Sequence, residues 1–206
     1  MKKILSVFLA AITLITLVSC TVTDNRSDVP PTQNTFDVTT KEKVNIKIEL
    51  KDGRVMEAEL YPDVAPITVQ NFVDLCTSGF YDGLIFHRVE SDFVIQTGDP
   101  KGNGTGGSNH TIKGEFSDNG VENNLKHAKG IISMARATAY DSASSQFFIV
   151  CGASNSSKVT SLDGRYAAFG KLTSGYDVLA EIKSVKTDSN NKPLEDVTIK
   201  YIRVVD

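Results

Sequence analysis

The 206 residues contain no tryptophan, and only three histidines and three cysteines. His87, His110 and His127 lack the short repeated spacing of metal ligands, so neither a metal nor any other cofactor is expected. No Cys-x-x-Cys pair suggests redox chemistry. No local motif marks a Ser-His-Asp nucleophile, although such triads can be assembled from distant positions. Base is not in excess either. The formal charge is −3, and losing residues 1–19, whose only charges are Lys2 and Lys3, takes it to −5, which argues against nucleic acid as a partner. The glycine-rich stretch Gly102-Asn103-Gly104-Thr105-Gly106-Gly107 continues as Ser108-Asn109-His110, without the Gly-Lys-Ser/Thr and helix of a phosphate loop, so tight turns are its expected use. Repeats and long charge runs are missing. The apolar run from Ile4 to Val18 is too short for a comfortable membrane-spanning helix.

What is present divides the chain in three. Met1-Lys2-Lys3 heads the apolar run, and Leu17-Val18-Ser19-Cys20 closes it, which reads as a secretory signal over residues 1–19. The closing tetrad resembles a bacterial lipobox, which would make Cys20 the lipid-bearing first residue of a protein held outside the cytoplasm on a bacterial cell membrane. An ordinary signal peptide or an uncleaved anchor is the alternative. Residues 20–42 are rich in Thr, Asp, Asn, Ser and Pro without apolar periodicity and read as a flexible tether. Residues 43–206, with 40% hydrophobic residues in the whole chain, suffice for one well-buried core. Cys76 and Cys151 remain, and two free, mostly buried thiols are favoured over a disulfide.

Within that domain, Val44 to Leu50 alternates apolar and polar residues, and Lys51-Asp52-Gly53-Arg54 turns it into Val55 to Leu60, a hairpin. Pro66 opens a helix with Val69, Phe72, Val73 and Cys76 on one face and Gly79 as its stop. Leu84 to Val89 and the run from Phe93 read as two strands about a polar turn. Further strands are expected at Ile131 to Ala135, Phe147 to Val150 and Ala167 to Leu172, then a helix over Gly175 to Val185 and a last strand within Glu195 to Val205, pairing with the first. Many strands and two helices suit a mainly β domain, an antiparallel barrel with helical caps, although pattern alone does not separate barrel from sandwich.

Arg88 is a lone cation among aromatics on a predicted strand. It needs a carboxylate such as Glu90 or Asp99, or a ligand. His87 points to the opposite face and reads as a hydrogen-bonded structural residue. The stretch Phe86-His87-Arg88-Val89 through Phe93-Val94-Ile95-Gln96-Thr97-Gly98 is followed by Gly130-Ile131-Ile132-Ser133-Met134-Ala135-Arg136-Ala137, then Ser145-Gln146-Phe147-Phe148, then Leu162-Asp163-Gly164-Arg165-Tyr166. In this order and spacing the blocks resemble the cyclophilin family of peptidyl-prolyl cis-trans isomerases, from about Val44 to about Val205. The resemblance implies a closed eight-stranded antiparallel β-barrel capped by two α-helices, a monomer without cofactor or metal, and isomerisation of X-Pro bonds in folding or unfolded exported polypeptides.

It also implies a site. Arg88 takes the catalytic position; Phe93, Val94, Phe148 and Leu162 take the ring-binding positions, and Gln96 and Gln146 those that hold substrate backbone. Ala135, Arg136 and Ala137 occupy the peptide-binding strand edge, and Tyr166 stands beside the pocket. Four residues depart from the familiar pattern: Val94 for Met, Arg136 for Asn, Ser161 for the Trp associated with cyclosporin binding, and Tyr166 for His. Weak cyclosporin binding is the expectation. A non-catalytic binder of proline-containing segments is the alternative that these departures keep open.

Overall fold

The computed structural model describes residues 36–205. The signal, Cys20 and most of the tether lie outside them. Eight strands form one antiparallel sheet: β1 (Val44–Leu50), β2 (Val55–Leu60), β3 (Arg88–Val89), β4 (Val94–Thr97), β5 (Ile131–Met134), β6 (Phe147–Val150), β7 (Ala168–Ser174) and β8 (Ile199–Val204). Their order is β3-β4-β6-β5-β7-β2-β1-β8. The first hairpin has the expected bounds, with Val44 opposite Leu60 and Gly53 in the left-handed region at φ 88°. Along β1 the apolar residues are buried in alternation, and β8 pairs with β1 as expected.

The expected closed barrel is corrected to an open, curled sheet, because the regular ladder ends at β3 and β8. Leu84 to Val89 does not run as one strand. Its first part bonds across the seam instead: Gly83 N–H donates to Ile199 O (2.8 Å), Ile199 N–H to Leu84 O (2.8 Å) and Phe86 N–H to Val197 O (3.0 Å). Only Arg88 and Val89 are left to pair with β4.

Among the described residues three α-helices are present rather than two. In α1 (Pro66–Thr77), Val69, Phe72, Val73, Leu75 and Cys76 are buried. Phe72 packs against the rings of Tyr81, Phe147 and Phe169 at 5.1–5.2 Å. Ala65 provides no side-chain cap at the start of this helix. The remote, buried Glu115 accepts from Ile67 N–H, Thr68 N–H and Thr68 Oγ1 in its stead, a carboxylate at a helix N-terminus. A one-turn helix, α2 (Ser157–Thr160), was not expected; Ser156 Oγ accepts from Val159 N–H at its start. The last helix, α3 (Tyr176–Ile182), buries Val178, Leu179 and Ile182 and is shorter than expected.

The packed domain also starts earlier than residue 43. Val38 is fully buried in the core, its N–H donates to Gln70 Oε1 (3.1 Å), and Gln70 Nε2 donates to Phe36 O (3.1 Å). Cys76 and Cys151 are buried and unpaired, as expected.

The sheet buries apolar side chains on both faces where β4, β5 and β6 meet. Val89, Ile95, Ile132, Phe147 and Ile149 face the main core, while Val94, Ile131, Phe148 and Val150 form a smaller cluster with Val159, Leu162 and Ala168. That smaller cluster floors the candidate site.

Candidate active site

One row of side chains crosses four strands. Arg88 on β3 is the register partner of Gln96 on β4, Gln96 of Phe148 on β6, and Phe148 of Ser133 on β5. Residues opposite one another in an antiparallel ladder project to the same face. The row therefore sets a cation, an amide and an aromatic ring side by side.

The polar members are tied end to end. Arg88 pairs with Glu90 through Nη2, and its Nη1 donates to Gln96 Oε1 (2.9 Å). Gln96 Nε2 donates to Gln146 Oε1 (2.9 Å), whose Nε2 donates to Gly106 O (2.6 Å) and Gly104 O (3.1 Å). Because a guanidinium can only donate, each amide along this line has one possible orientation. Both readings of Arg88 hold together: it has its carboxylate, and it still borders a cavity, with 37% of its side chain exposed.

That cavity, of about 220 Å³, is walled by Phe93, Val94, Phe148, Leu162 and Tyr166, with Arg88, Gln96, Ala135 and Arg136 at its edges. The Arg88 guanidinium carbon is 6.0 Å from the Phe93 ring centre. A second cavity of about 370 Å³ adjoins it, bounded by the loop Gly104 to Ser108, by Ala137, Ser142 and Ser144, and by Gln146. Gln96, Ala135 and Arg136 border both. Every site residue expected within the described residues thus lines one cavity or the other, Ala137 and Gln146 the second alone. Only Cys20 falls outside.

The matching family model, "Cyclophilin type peptidyl-prolyl cis-trans isomerase/CLD", covers residues 35–204. The chain belongs to the cyclophilin family. It is 41% identical over 156 residues to the Schizosaccharomyces pombe peptidyl-prolyl cis-trans isomerase ppi1, spanning 75% of this chain and 95% of that one. To the Arabidopsis thaliana peptidyl-prolyl cis-trans isomerase CYP18-2 it is 38% identical over 149 residues, 72% of this chain and 86% of the other. Among solved structures, a Cryptosporidium parvum cyclophilin type peptidyl-prolyl cis-trans isomerase superposes with a TM-score of 0.70 at 32% identity, over 80% of this chain and 98% of that one.

This cyclophilin also holds its pocket with residues that sequence reasoning missed. Beneath Phe148 lies the buried ring of His127, nearly parallel at 23° and 6.2 Å between centres. Its Nδ1 meets Asp163 Oδ1 (2.9 Å) and its Nε2 meets Ser133 Oγ (3.0 Å). The neutral tautomer with hydrogen on Nδ1 satisfies both contacts, and burial pushes the His127 pKa down against the pull of Asp163. Asp163 also accepts from His127 N–H (2.8 Å), so one carboxylate fixes both the ring under Phe148 and the loop carrying Leu162. These three residues form a Ser-His-Asp chain, but Ser133 is fully buried, so it serves packing rather than nucleophilic attack. His127 and Asp163 are 36 residues apart, and no local spacing signals the pair.

The glycine-rich loop borders the second cavity, in keeping with its expected tight turns. Asp99 organises it, accepting from Lys101 N–H (2.7 Å), Asn103 N–H (3.0 Å) and Gly104 N–H (2.6 Å). Burial raises the Asp99 pKa, and these backbone donors outweigh it, leaving the carboxyl below its ordinary value. Gly106 must be glycine, since a Cβ there would sit 2.0 Å from Asp99 Oδ1.

His87 differs from expectation. It is buried, but neither ring nitrogen meets a hydrogen-bond partner within the protein, and Gln146 nearby spends its Nε2 on the loop carbonyls. Burial lowers its pKa and keeps the ring neutral.

Proposed function

We propose that this cyclophilin acts on exported polypeptides as they fold, from a lipid anchor at Cys20 on the outer face of a bacterial cell membrane, and that Arg88 carries its chemistry. The protein is a peptidyl-prolyl cis-trans isomerase, and the family acts on proline-containing substrates. The observation that carries the assignment of the site is an arginine pinned by Glu90 and Gln96 at the rim of a cavity of about 220 Å³ walled by Phe93, Val94, Phe148 and Leu162.

Rotation about an X-Pro bond is slow because the amide must lose its resonance. In the twisted transition state the proline nitrogen becomes pyramidal and regains a lone pair. A donor fixed near that nitrogen binds the twisted form better than either planar isomer, which is the binding that accelerates a reaction. Arg88 supplies it, always charged and able only to donate. Phe93, Val94, Phe148 and Leu162 seat the proline ring, and Gln96 and Gln146 hold the backbone that leads into it.

Magnitude divides the labour. Raising exchange from about 0.01–0.1 s⁻¹ to about 10³ s⁻¹ lowers the barrier by roughly 5.5–7 kcal/mol. A charge-assisted hydrogen bond contributes about 1.5–3 kcal/mol. The rest comes from a water-poor pocket that favours the less polar twisted amide and grips both sides of the bond.

The test is exchange in a short Ala-Pro peptide with the chain from Thr21 onward. Arg88→Ala should lower kcat/KM by roughly 10- to 100-fold while peptide binding, followed by chemical shifts, persists. A folded parent that binds the peptide yet does not accelerate exchange would make the protein a binder of proline segments instead. Ser161 is exposed, with Oγ donating to Lys158 O, and presents no aromatic surface at the position of the tryptophan associated in the family with cyclosporin binding. Weak inhibition is therefore proposed, and a tight titration end-point with cyclosporin would contradict it.

A further inference from the structure

Arg54, Arg88, Arg165 and Arg203 each pair with a carboxylate. Arg136 does not; among the described residues it is the one arginine without an ion pair. It is nevertheless held firmly. Its Nε donates to Arg165 O (3.0 Å) and its Nη1 to Ala137 O (2.9 Å) and Thr138 O (3.2 Å). The guanidinium carbon lies 4.8 Å from the Tyr166 ring centre and 5.1 Å from those of Phe116 and Tyr140. Three rings and three carbonyls fix the plane, and Nη2 has no hydrogen-bond partner among the described residues. A planar cation so pre-organised has already lost most of the side-chain freedom that pairing with an anion would cost.

Its position is equally informative. Arg136 forms the ridge between the two cavities, and it is the one charged side chain that borders the second. The other polar groups there are the hydroxyls of Thr105, Ser108, Ser142 and Ser144, the two glutamines and loop backbone. Asp141, the acid nearest in the chain, and Asp99, which organises the loop bounding that cavity, are both occupied elsewhere. Asp99 is spent on loop N–H groups, and Asp141 Oδ1 accepts from Gly114 N–H and Asn119 Nδ2. On the isomerase reading, Arg88 suggests the direction in which a substrate would run. The residue before proline leaves from the nitrogen that Arg88 faces, and Gln96, bonded to Arg88, lines the way into the second cavity.

From this geometry we infer that Arg136 selects substrates bearing an acidic side chain at the second or third residue before the proline, its free Nη2 edge taking the carboxylate. The inference rests on the isomerase reading and adds a substrate class to it.

The experiment uses blocked peptides identical except for Glu or Gln, placed in turn two and three residues before an Ala-Pro-containing bond, with kcat/KM measured for each. At low ionic strength Glu should exceed Gln by about fivefold at one of these positions. In about 1 M salt the ratio should fall toward one. It should fall likewise in Arg136→Gln and be largely kept in Arg136→Lys, which retains the charge. The ratio within one variant is the readout, so a general loss of activity on substitution does not obscure it. A parent ratio of one at both positions overturns the inference while leaving the isomerase intact, as does an unchanged ratio in folded Arg136→Gln. Should Arg136→Gln fail to fold, the salt dependence of the parent decides. If no peptide is accelerated by the parent, the isomerase reading falls first and this one with it.

Discussion

His87 and His127 are buried neutral, and the two together give the molecule an acid limit. Burial lowers both pKa values below the ordinary 6.5. In the unfolded chain each ring takes a proton near pH 6.5; in the folded chain it does so only at lower pH. Between those two pKa values the unfolded state binds more protons, so stability falls as pH drops below about 6.5, by up to about 1.4 kcal/mol per pH unit for each histidine. Urea midpoints taken from about pH 8 down to about pH 5 should be flat above neutrality and decline below it. His87→Gln should remove part of the slope without abolishing it, since His127 remains. A midpoint independent of pH across that range would show that neither ring is held neutral. These two residues also show how far single positions could be read. The sequence placed His87 beside Arg88 but not its lack of partners, and it offered no sign that His127 would sit under Phe148. Arg136 was legible as a departure, yet its three aromatic neighbours come from positions 116, 140 and 166 and meet only in the fold.

Elements were readable where one face is wet. The first hairpin announced itself by alternation and Asp52-Gly53, and α1 by its apolar spacing. Strands β4, β5 and β6 are buried on both faces, so their runs gave existence but no orientation. The site depends on orientation, because Arg88, Gln96, Phe148 and Ser133 share a face only through the register of three strand pairs. Gln146 and Phe148 share a parity visible in the sequence, whereas Phe93 and Gln96 do not. The seam, where the regular ladder gives way to isolated bonds, was illegible for a similar reason: residues 83–86 look like strand, and their partners are backbone groups more than 100 positions away. The misplaced domain start has a simpler cause. Phe36-Asp37-Val38 is too short a run to show a period, yet Val38 is fully buried against α1 and Phe36 packs on the same core. A chain starting at Lys43 should therefore lose at least the burial of Val38, about 1.5–3 kcal/mol, along with the packing of Phe36, relative to one starting at Thr21. Urea unfolding of the pair checks this, and coincident midpoints would mean that the segment contributes nothing.

For the whole molecule, charge and address are linked. Once residues 1–19 are removed the side chains sum to −5, a balance that gives no attraction to anionic lipid. Nor does any helix among the described residues have the length and apolarity to cross a membrane. In the proposed lipoprotein form, membrane attachment rests on the lipid at Cys20. Two acyl chains anchor stably where one does not, and burial of hydrocarbon does not weaken in salt as electrostatic adsorption would. Expressed at full length in a bacterium, the protein should stay with the membrane through a high-salt wash, leave it in detergent, and incorporate a labelled fatty acid. Cys20→Ala should abolish the label while Ala-Pro exchange by the isolated protein stays at the parental rate, because Cys20 is 16 positions before the first described residue and no described site residue depends on it. Without label in the parent, an N-terminus at Met1 would make residues 1–19 an uncleaved anchor, whereas a mature N-terminus cut at a site other than Cys20 would place the protein free outside the cytoplasm. The isomerase would then meet its substrates by diffusion rather than at the surface where they emerge.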